Sequence, residues 1–227
     1  RVGRDLRQGH PAPPTALCEA PVTVISPGLY GMVDTEFGPP LDIAEALLRS
    51  GCTVLQLRAK GLSTDARVTM ARALLPRVRA ANAVLLVNDD IEAAHRSGAH
   101  GVHLGQSDGT VQDAREKLGP HAIVGLSTHT LNQVLSVGPD VDYIGFGPVF
   151  STTTKVSTWA TVGIERLRAA CVSSPVPVVA IGGIRLHHLP ELQAAGAQHW
   201  AVISDILSGT HKIDVWSARA AALCLNP

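Results

Sequence analysis

In Val87-Asn88-Asp89-Asp90 and in Val102-His103-Leu104-Gly105-Gln106-Ser107-Asp108, two short apolar runs end abruptly in acidic and amide groups. A buried parallel strand that delivers polar side chains to the mouth of a barrel has this form. Asp89 and Asp108, at adjacent strand ends, make a hard oxygen site suited to Mg²⁺, which takes one or two carboxylates together with substrate phosphate. One Mg²⁺ per site and a phosphorylated substrate are therefore expected. Asn88 stands where it would reach a phosphate oxygen or a metal-bound water. Asp90 and Asp108 each precede a helical segment, where Asp is a good N-cap. The cap is assigned to Asp90, or to Asp108 in part, and the metal to Asp89 with Asp108. His103, inside its strand, reads as a satisfied core histidine rather than a ligand.

Gln56, Arg58 and Lys60 alternate along the preceding strand, so a period of two points all three to one face. On the pore side they offer an amide, a planar cationic fork and a point charge to phosphate oxygens. The plainer reading leaves Arg58 and Lys60 on a solvated rim, with Asp89 as a partner. The acidic pair beside them favours a diphosphate–metal site. Further on, Gly145-Phe146-Gly147-Pro148-Val149-Phe150-Ser151-Thr152-Thr153-Thr154-Lys155 runs from a strand end into a hydroxyl-rich loop that ends in a cation. Its length after a strand suits a lid. Val178-Val179-Ala180-Ile181-Gly182-Gly183-Ile184 and Val202-Ile203-Ser204 match the phosphate groove formed by the loops after strands seven and eight of such barrels. Two anion sites follow, one for a metal-bound diphosphate and one for a monophosphate. Together they describe a group-transfer enzyme.

These groups need a scaffold that gathers strand ends. Apolar runs near 28–34, 53–58, 83–88, 101–105, 122–127, 141–147, 177–182 and 198–203 alternate with helix-like segments near 41–50, 64–81, 90–97, 110–118, 130–137, 163–172, 187–195 and 211–223. About eight β/α units without a change of composition predict a single closed (β/α)₈ barrel over 27–227. A doubly wound open sheet would need a Gly-rich first turn, and Val33-Asp34-Thr35-Glu36-Phe37-Gly38 is not one. Residues 1–26, with Pro11, Pro13, Pro14 and Pro21, read as an irregular extension.

The chain has 227 residues, 45% hydrophobic and 17% charged, with nineteen basic residues offsetting nineteen acidic ones. This balance excludes a general nucleic-acid or membrane-surface binder and confines any anion site to a local cluster. Cys18, Cys52, Cys171 and Cys224 form no CxxC pair and read as free thiols of a reducing compartment. No apolar run approaches the roughly 20 residues that span a bilayer, and no apolar segment follows the basic N-terminus, so a cytoplasmic protein is expected.

The motifs QLRAK at 56–60, VNDD at 87–90, HLGQSD at 103–108, GLST at 125–128, GFGPVFSTTTK at 145–155 and AIGGI at 180–184 closely resemble those of the thiamine-phosphate synthase (thiamine-phosphate pyrophosphorylase) family. The resemblance runs in order from about residue 28 to about 207. It implies a transferase of thiamine biosynthesis that couples 4-amino-2-methyl-5-hydroxymethylpyrimidine diphosphate to 4-methyl-5-(2-phosphoethyl)thiazole, or its carboxylated form, with release of pyrophosphate. Its partners are then small-molecule substrates, and assembly as a homo-oligomer is compatible with it. By the same resemblance Gln56, Arg58, Lys60, Asn88, Ser127 and Lys155 contact the pyrimidine diphosphate, with Arg58, Lys60, Ser127 and Lys155 as the catalytic set. Asp89 and Asp108 hold Mg²⁺. Thr152, Thr154, Gly183, Ile203 (through its backbone) and Ser204 hold the thiazole phosphate.

The chain departs from the family pattern at Gly31, Ser151, Val156 to Val162 and Asp205. A carboxylate at Asp205 that turned inward would repel a phosphate. A thiazole tautomerase-like isomerase on the same barrel would dispense with the diphosphate–metal cluster and could use His129 as acid or base. A catalytically silent phosphate-binding or regulatory relative would have lost one of the ligands. A ribulose-phosphate epimerase-like barrel would need paired Asp and His ligands. The intact Gln56/Arg58/Lys60 and Asp89/Asp108 sets favour the synthase.

Overall fold

The computed structural model describes residues 25–152, 159–208 and 210–224. Among them eight strands, β1 (Gly28–Asp34), β2 (Val54–Arg58), β3 (Val84–Asn88), β4 (Gly101–Leu104), β5 (Ile123–Thr128), β6 (Tyr143–Phe146), β7 (Val178–Ile181) and β8 (His199–Val202), pair in parallel, each with the next. β8 pairs back onto β1, from Gly28 opposite His199 to Gly31 opposite Val202, and the sheet closes into a (β/α)₈ barrel. The intervening helices are α1 (Pro40–Arg49), α2 (Thr64–Ala80), α3 (Ile91–Ser97), α4 (Val111–Leu118), α5 (Leu131–Leu135), α6 (Gly163–Ser173) and α7 (Leu189–Ala194), the last entered through a 3₁₀ turn at Leu186–His188. After β8 come α8 (Ser204–Leu207) and α9 (Thr210–Cys224). The sequence pattern anticipated every strand but not α8, whose single turn is too short to show a helical period. No helix among the described residues is long and apolar enough to cross a membrane.

The strands are buried on both faces, which explains their near-continuous apolar runs. One set of alternate residues, including Tyr30, Met32, Val54, Val84, Leu86, Ile123, Tyr143, Val179 and Ala201, packs together inside the barrel. The other set, among them Val33, Leu55, Leu57, Leu85, Val87 and Ile144, meets Leu47, Leu74, Val78 and Leu167 of the surrounding helices. Each such Leu, Ile or Val contributes roughly 1.5–3 kcal/mol by leaving water. Ile25 belongs to the inner cluster, and its carbonyl accepts a hydrogen bond from His199 Nε2 at 3.0 Å.

Helix starts are specified locally. The Asp90 side chain accepts from Ala93 N–H and caps α3, as expected from its position. α4 is capped instead by Thr110 in a reciprocal box with Asp113, so Asp108 is not a cap. The departure at Gly31 also has a packing cause. A Cβ there would come within 2.9 Å of Cys52 Sγ and 3.1 Å of Leu47, and the thiol fills that space while donating to the Leu29 carbonyl at 3.1 Å. Burial pushes the Cys52 thiol up to about 11, which marks it as a structural, unreactive cysteine.

Candidate active site

At the C-terminal ends of the strands one pocket brings together Gln56, Arg58, Asn88, Asp89, His103, Ser127, Thr152, Gly183, Ile203 and Ser204. Its floor and walls inside the barrel include Tyr30, Met32, Tyr143, Val179 and Ala201.

The acidic pair is built around Gly105. Asp89 directly follows β3 in the left-handed region, φ 63°, and its N–H donates to the His103 carbonyl at 2.8 Å. Asp tolerates this conformation better than most residues with a Cβ. Asp108, in the turn after β4, accepts the Gly105 N–H on Oδ2 at 3.0 Å. A Cβ on Gly105 would stand 2.3 Å from Asp108 Oδ2 and 3.8 Å from Asp89 Oδ1. Two carboxylate oxygens thus face one small space that only glycine leaves open. No group of three or more His, Cys, Asp or Glu side chains suited to a metal occurs among the described residues. A pair of carboxylates beside an anion pocket fits Mg²⁺, which completes its shell with phosphate and water, and does not fit a closed four-ligand zinc site.

Arg58 is only 5% exposed, and its guanidinium is ion-paired with Asp34, which is fully buried. The β1–β2 register places Asp34 directly beside Arg58. Asp34 Oδ1 also accepts the Glu36 N–H at 3.1 Å, and Glu36 Oε2 lies 3.5 Å from the same guanidinium nitrogen.

A chain of polar side chains crosses the pocket floor. Gln56 Nε2 donates to Tyr30 Oη at 2.8 Å, and Tyr30 Oη lies 2.6 Å from Tyr143 Oη. Tyr143 Oη is 2.8 Å from His103 Nδ1, and His103 Nε2 is 2.9 Å from Ser127 Oγ. Small residues make room for the rings. A Cβ on Gly125 would fall 2.1 Å from the Tyr143 ring, and one on Gly145 would fall 3.3 Å from His103 Cε1.

On the opposite side, the irregular segment after β6 folds onto the end of β7. Val149 and Phe150 N–H groups donate to Ile181 and Gly182 carbonyls at 2.9 and 3.0 Å. A Cβ on Gly183, φ 63°, would meet the Ser151 carbonyl at 2.3 Å. The glycine is therefore demanded by the neighbouring loop. His129 Nδ1 is bound to the Gly147 carbonyl at 2.6 Å, and its ring stacks on Trp159 with centroids 4.8 Å apart. Asp205 turns away from the pocket: its Oδ2 accepts from Leu186 N–H at 3.3 Å and from Trp216 Nε1 at 3.0 Å.

Comparison with known proteins resolves which barrel this is. The family profile described as thiamine monophosphate synthase matches residues 29–206. The chain is 36% identical over 183 residues to the thiamine-phosphate synthase of Caldicellulosiruptor bescii, covering 79% of this chain and 84% of that protein. It is 39% identical over 181 residues to that of Chlorobium phaeovibrioides, covering 79% and 86%. It belongs to the thiamine monophosphate synthase family. The thiamine phosphate pyrophosphorylase of Pyrococcus furiosus superposes with a TM-score of 0.78 at 29% identity, over 87% of this chain and 95% of that one. A 3-hexulose-6-phosphate synthase, at 16% identity and a TM-score of 0.62, shares the fold alone.

Within this family barrel the sequence reading is mostly located and in places corrected. Gln56 and Arg58 point into the pocket, but the alternation ends there. β2 stops at Arg58, and Lys60 sits exposed in the following turn, outside the pocket lining. The partner of Arg58 is Asp34, not Asp89. His103 is a satisfied core histidine, engaged at both ring nitrogens, yet it also lines the pocket. Thr154 and Lys155 lie outside the described residues. Sequence reasoning missed Asp34, Tyr30 and Tyr143. An acid at the last position of β1 was the signal for Asp34, whereas nothing local links Tyr30 to Tyr143.

Proposed function

We propose that this chain joins 4-amino-2-methyl-5-hydroxymethylpyrimidine diphosphate to the thiazole monophosphate, in its plain or carboxylated form, releasing pyrophosphate and, from the carboxylated form, also CO₂. The observation that carries the reading is the nearness of Asp108 to Asp89 around Gly105, with Asp89 itself lining the same pocket as Arg58 and Gln56. Asp89 and Asp108 would hold Mg²⁺, which supplies positive charge to the diphosphate oxygens as they become a leaving group.

In this scheme Gln56, Arg58, Lys60, Asn88, Ser127 and Lys155 bind the pyrimidine diphosphate. The pyrimidine amino group pushes electrons toward the exocyclic CH₂, and the C–O bond breaks with its electron pair going to pyrophosphate. Arg58, Lys60 and Lys155 stabilise the charge that grows on the departing oxygens. Asp34 holds the Arg58 fork in one orientation while this happens. The apolar walls of Met32, Val179 and Ala201 keep water from the delocalised cation, which water would otherwise capture. Thr152, Thr154, Gly183, Ile203 and Ser204 hold the thiazole phosphate so that the thiazole nitrogen meets the CH₂ carbon. No proton leaves an attacking atom, so no general base is required. Placing two substrates in one pocket supplies much of the remaining acceleration. The outward turn of Asp205 removes the charge conflict that its position beside Ser204 raised. Purified protein given both substrates and Mg²⁺ should form thiamine phosphate, and folded protein that forms none would count against the reading.

A further inference from the structure

The polar chain across the barrel floor has a direction. A buried hydroxyl hydrogen must point at an acceptor. Gln56 Nε2 donates to Tyr30 Oη, so Tyr30 already receives one hydrogen. The remaining side-chain contact of Tyr30 Oη among the described hydrogen bonds is Tyr143 Oη, so the Tyr30 hydrogen goes there. Tyr143 then donates onward to His103 Nδ1, which makes Nδ1 the acceptor and leaves the proton of the neutral ring on Nε2. His103 Nε2–H donates to Ser127 Oγ, and the serine hydrogen is turned outward to the pocket. Burial pushes both phenols well above the ordinary tyrosine range, so both keep their hydrogens throughout neutral pH.

We propose that Tyr30, Tyr143 and His103 are positioning residues that set the hydrogen-bonding sense of the two pocket groups at their ends. With one Nε2 hydrogen held by Tyr30, the Gln56 amide is fixed in orientation, and its carbonyl Oε1 is turned to a ligand to accept from a hydrogen-bond donor. With Oγ accepting from His103, Ser127 presents its hydroxyl hydrogen and reads an acceptor. The two ends cannot be reversed independently, because reversing one reverses every bond between them. Resting on the function proposed above, the donor is the exocyclic amino group of the pyrimidine and the acceptor is an oxygen of the diphosphate. The chain therefore couples recognition at β2 to recognition at β5. It selects an aminopyrimidine over the corresponding oxopyrimidine, which would offer Gln56 a carbonyl. The clearances at Gly125 and Gly145 show that the barrel is hollowed to house this arrangement.

The first test needs no substrate. In protein labelled with ¹⁵N-histidine, long-range ¹H–¹⁵N spectra distinguish the tautomers, and the His103 signals are those missing from His103→Gln. The expected result is the neutral Nε2–H form in the wild type, giving way to a mixture in Tyr143→Phe and in Tyr30→Phe. An Nδ1–H ring in the wild type, or a pattern unchanged in whichever of these variants folds, would overturn the proposal. The second test compares KM for the aminopyrimidine diphosphate and its oxo analogue. The preference should fall by about tenfold or more in either phenylalanine variant, equivalent to about 1.4 kcal/mol; an unchanged preference would overturn the coupling. Wild-type protein that shows the expected tautomer but makes no thiamine phosphate would sink the function and not the network.

Discussion

Removing the Asp34 carboxylate should cost more stability than any other single change at the strand ends. The Arg58 and Asp34 side chains are 6% and 0% exposed, so Asp34→Ala strands a guanidinium away from water. Breaking a buried pair in this way costs about 3–5 kcal/mol. Glu36 recovers little, because at 3.5 Å and 52% exposed it resembles a surface partner worth under about 1 kcal/mol. The Glu36 N–H also loses its acceptor, a further loss of about 1 kcal/mol. A net loss near 4 kcal/mol is expected. With a urea m-value of about 3 kcal/mol/M, the midpoint falls by somewhat more than 1 M. Trp200 and Trp216, each 1% exposed, give the fluorescence signal for the transition. Added salt should change the loss little, since the pair is shielded from the screening ions. Asp34→Leu combined with Arg58→Met should lose less than Asp34→Ala alone, because no buried charge is left behind. A loss under about 1 kcal/mol for Asp34→Ala, or a double variant no better than the sum of its parts, would refute this reasoning.

Gly105→Ala should weaken Mg²⁺ activation by about tenfold to a hundredfold with little change in Tm, because its Cβ displaces the Asp108 carboxylate; a metal titration of activity checks it. Asp205→Ala should destabilise by about 1–3 kcal/mol, since Leu186 N–H and Trp216 Nε1 lose their acceptor, while KM for the thiazole phosphate stays unchanged. Burial holds the His199 imidazole below its ordinary value, partly opposed by the hydrogen bond to Ile25, so the folded state disfavours its charged form. Stability from His199 is then full above about pH 6.5 and declines as pH falls through that value toward the lowered one. Urea midpoints across pH 5–8 should show this decline in the wild type, and His199→Gln should flatten it.

Strand placement was legible because each strand is apolar on both faces and ends in polar residues, so Leu85-Leu86-Val87-Asn88-Asp89 marks both a strand and its mouth. The Asp89/Asp108 pairing was legible for the same reason, since β3 and β4 are consecutive and therefore adjacent. Asp34 was not, because its meaning comes from sitting opposite Arg58 in the β1–β2 register. The alternation carried only to Arg58, because β2 ends there and Lys60 falls in the turn that follows. The Tyr30–Tyr143 contact joins residues 113 apart, which meet only when the barrel closes. Asp205 looked threatening in one dimension. Its partner Trp216 lies in α9, and only packing of α9 against α8 shows the carboxylate facing outward.

The central claim is that the chain transfers the pyrimidine from diphosphate to thiazole with the help of a metal held by Asp89 and Asp108. The most direct measurement counts thiamine phosphate and pyrophosphate together, with both substrates present, in Mg²⁺ and then in excess chelator. Equal amounts of the two products in Mg²⁺, lost in chelator and in Asp89→Ala but kept in Cys171→Ala, is the predicted result. Pyrophosphate without thiamine phosphate, or product formation indifferent to chelator and to Asp89→Ala, would contradict it.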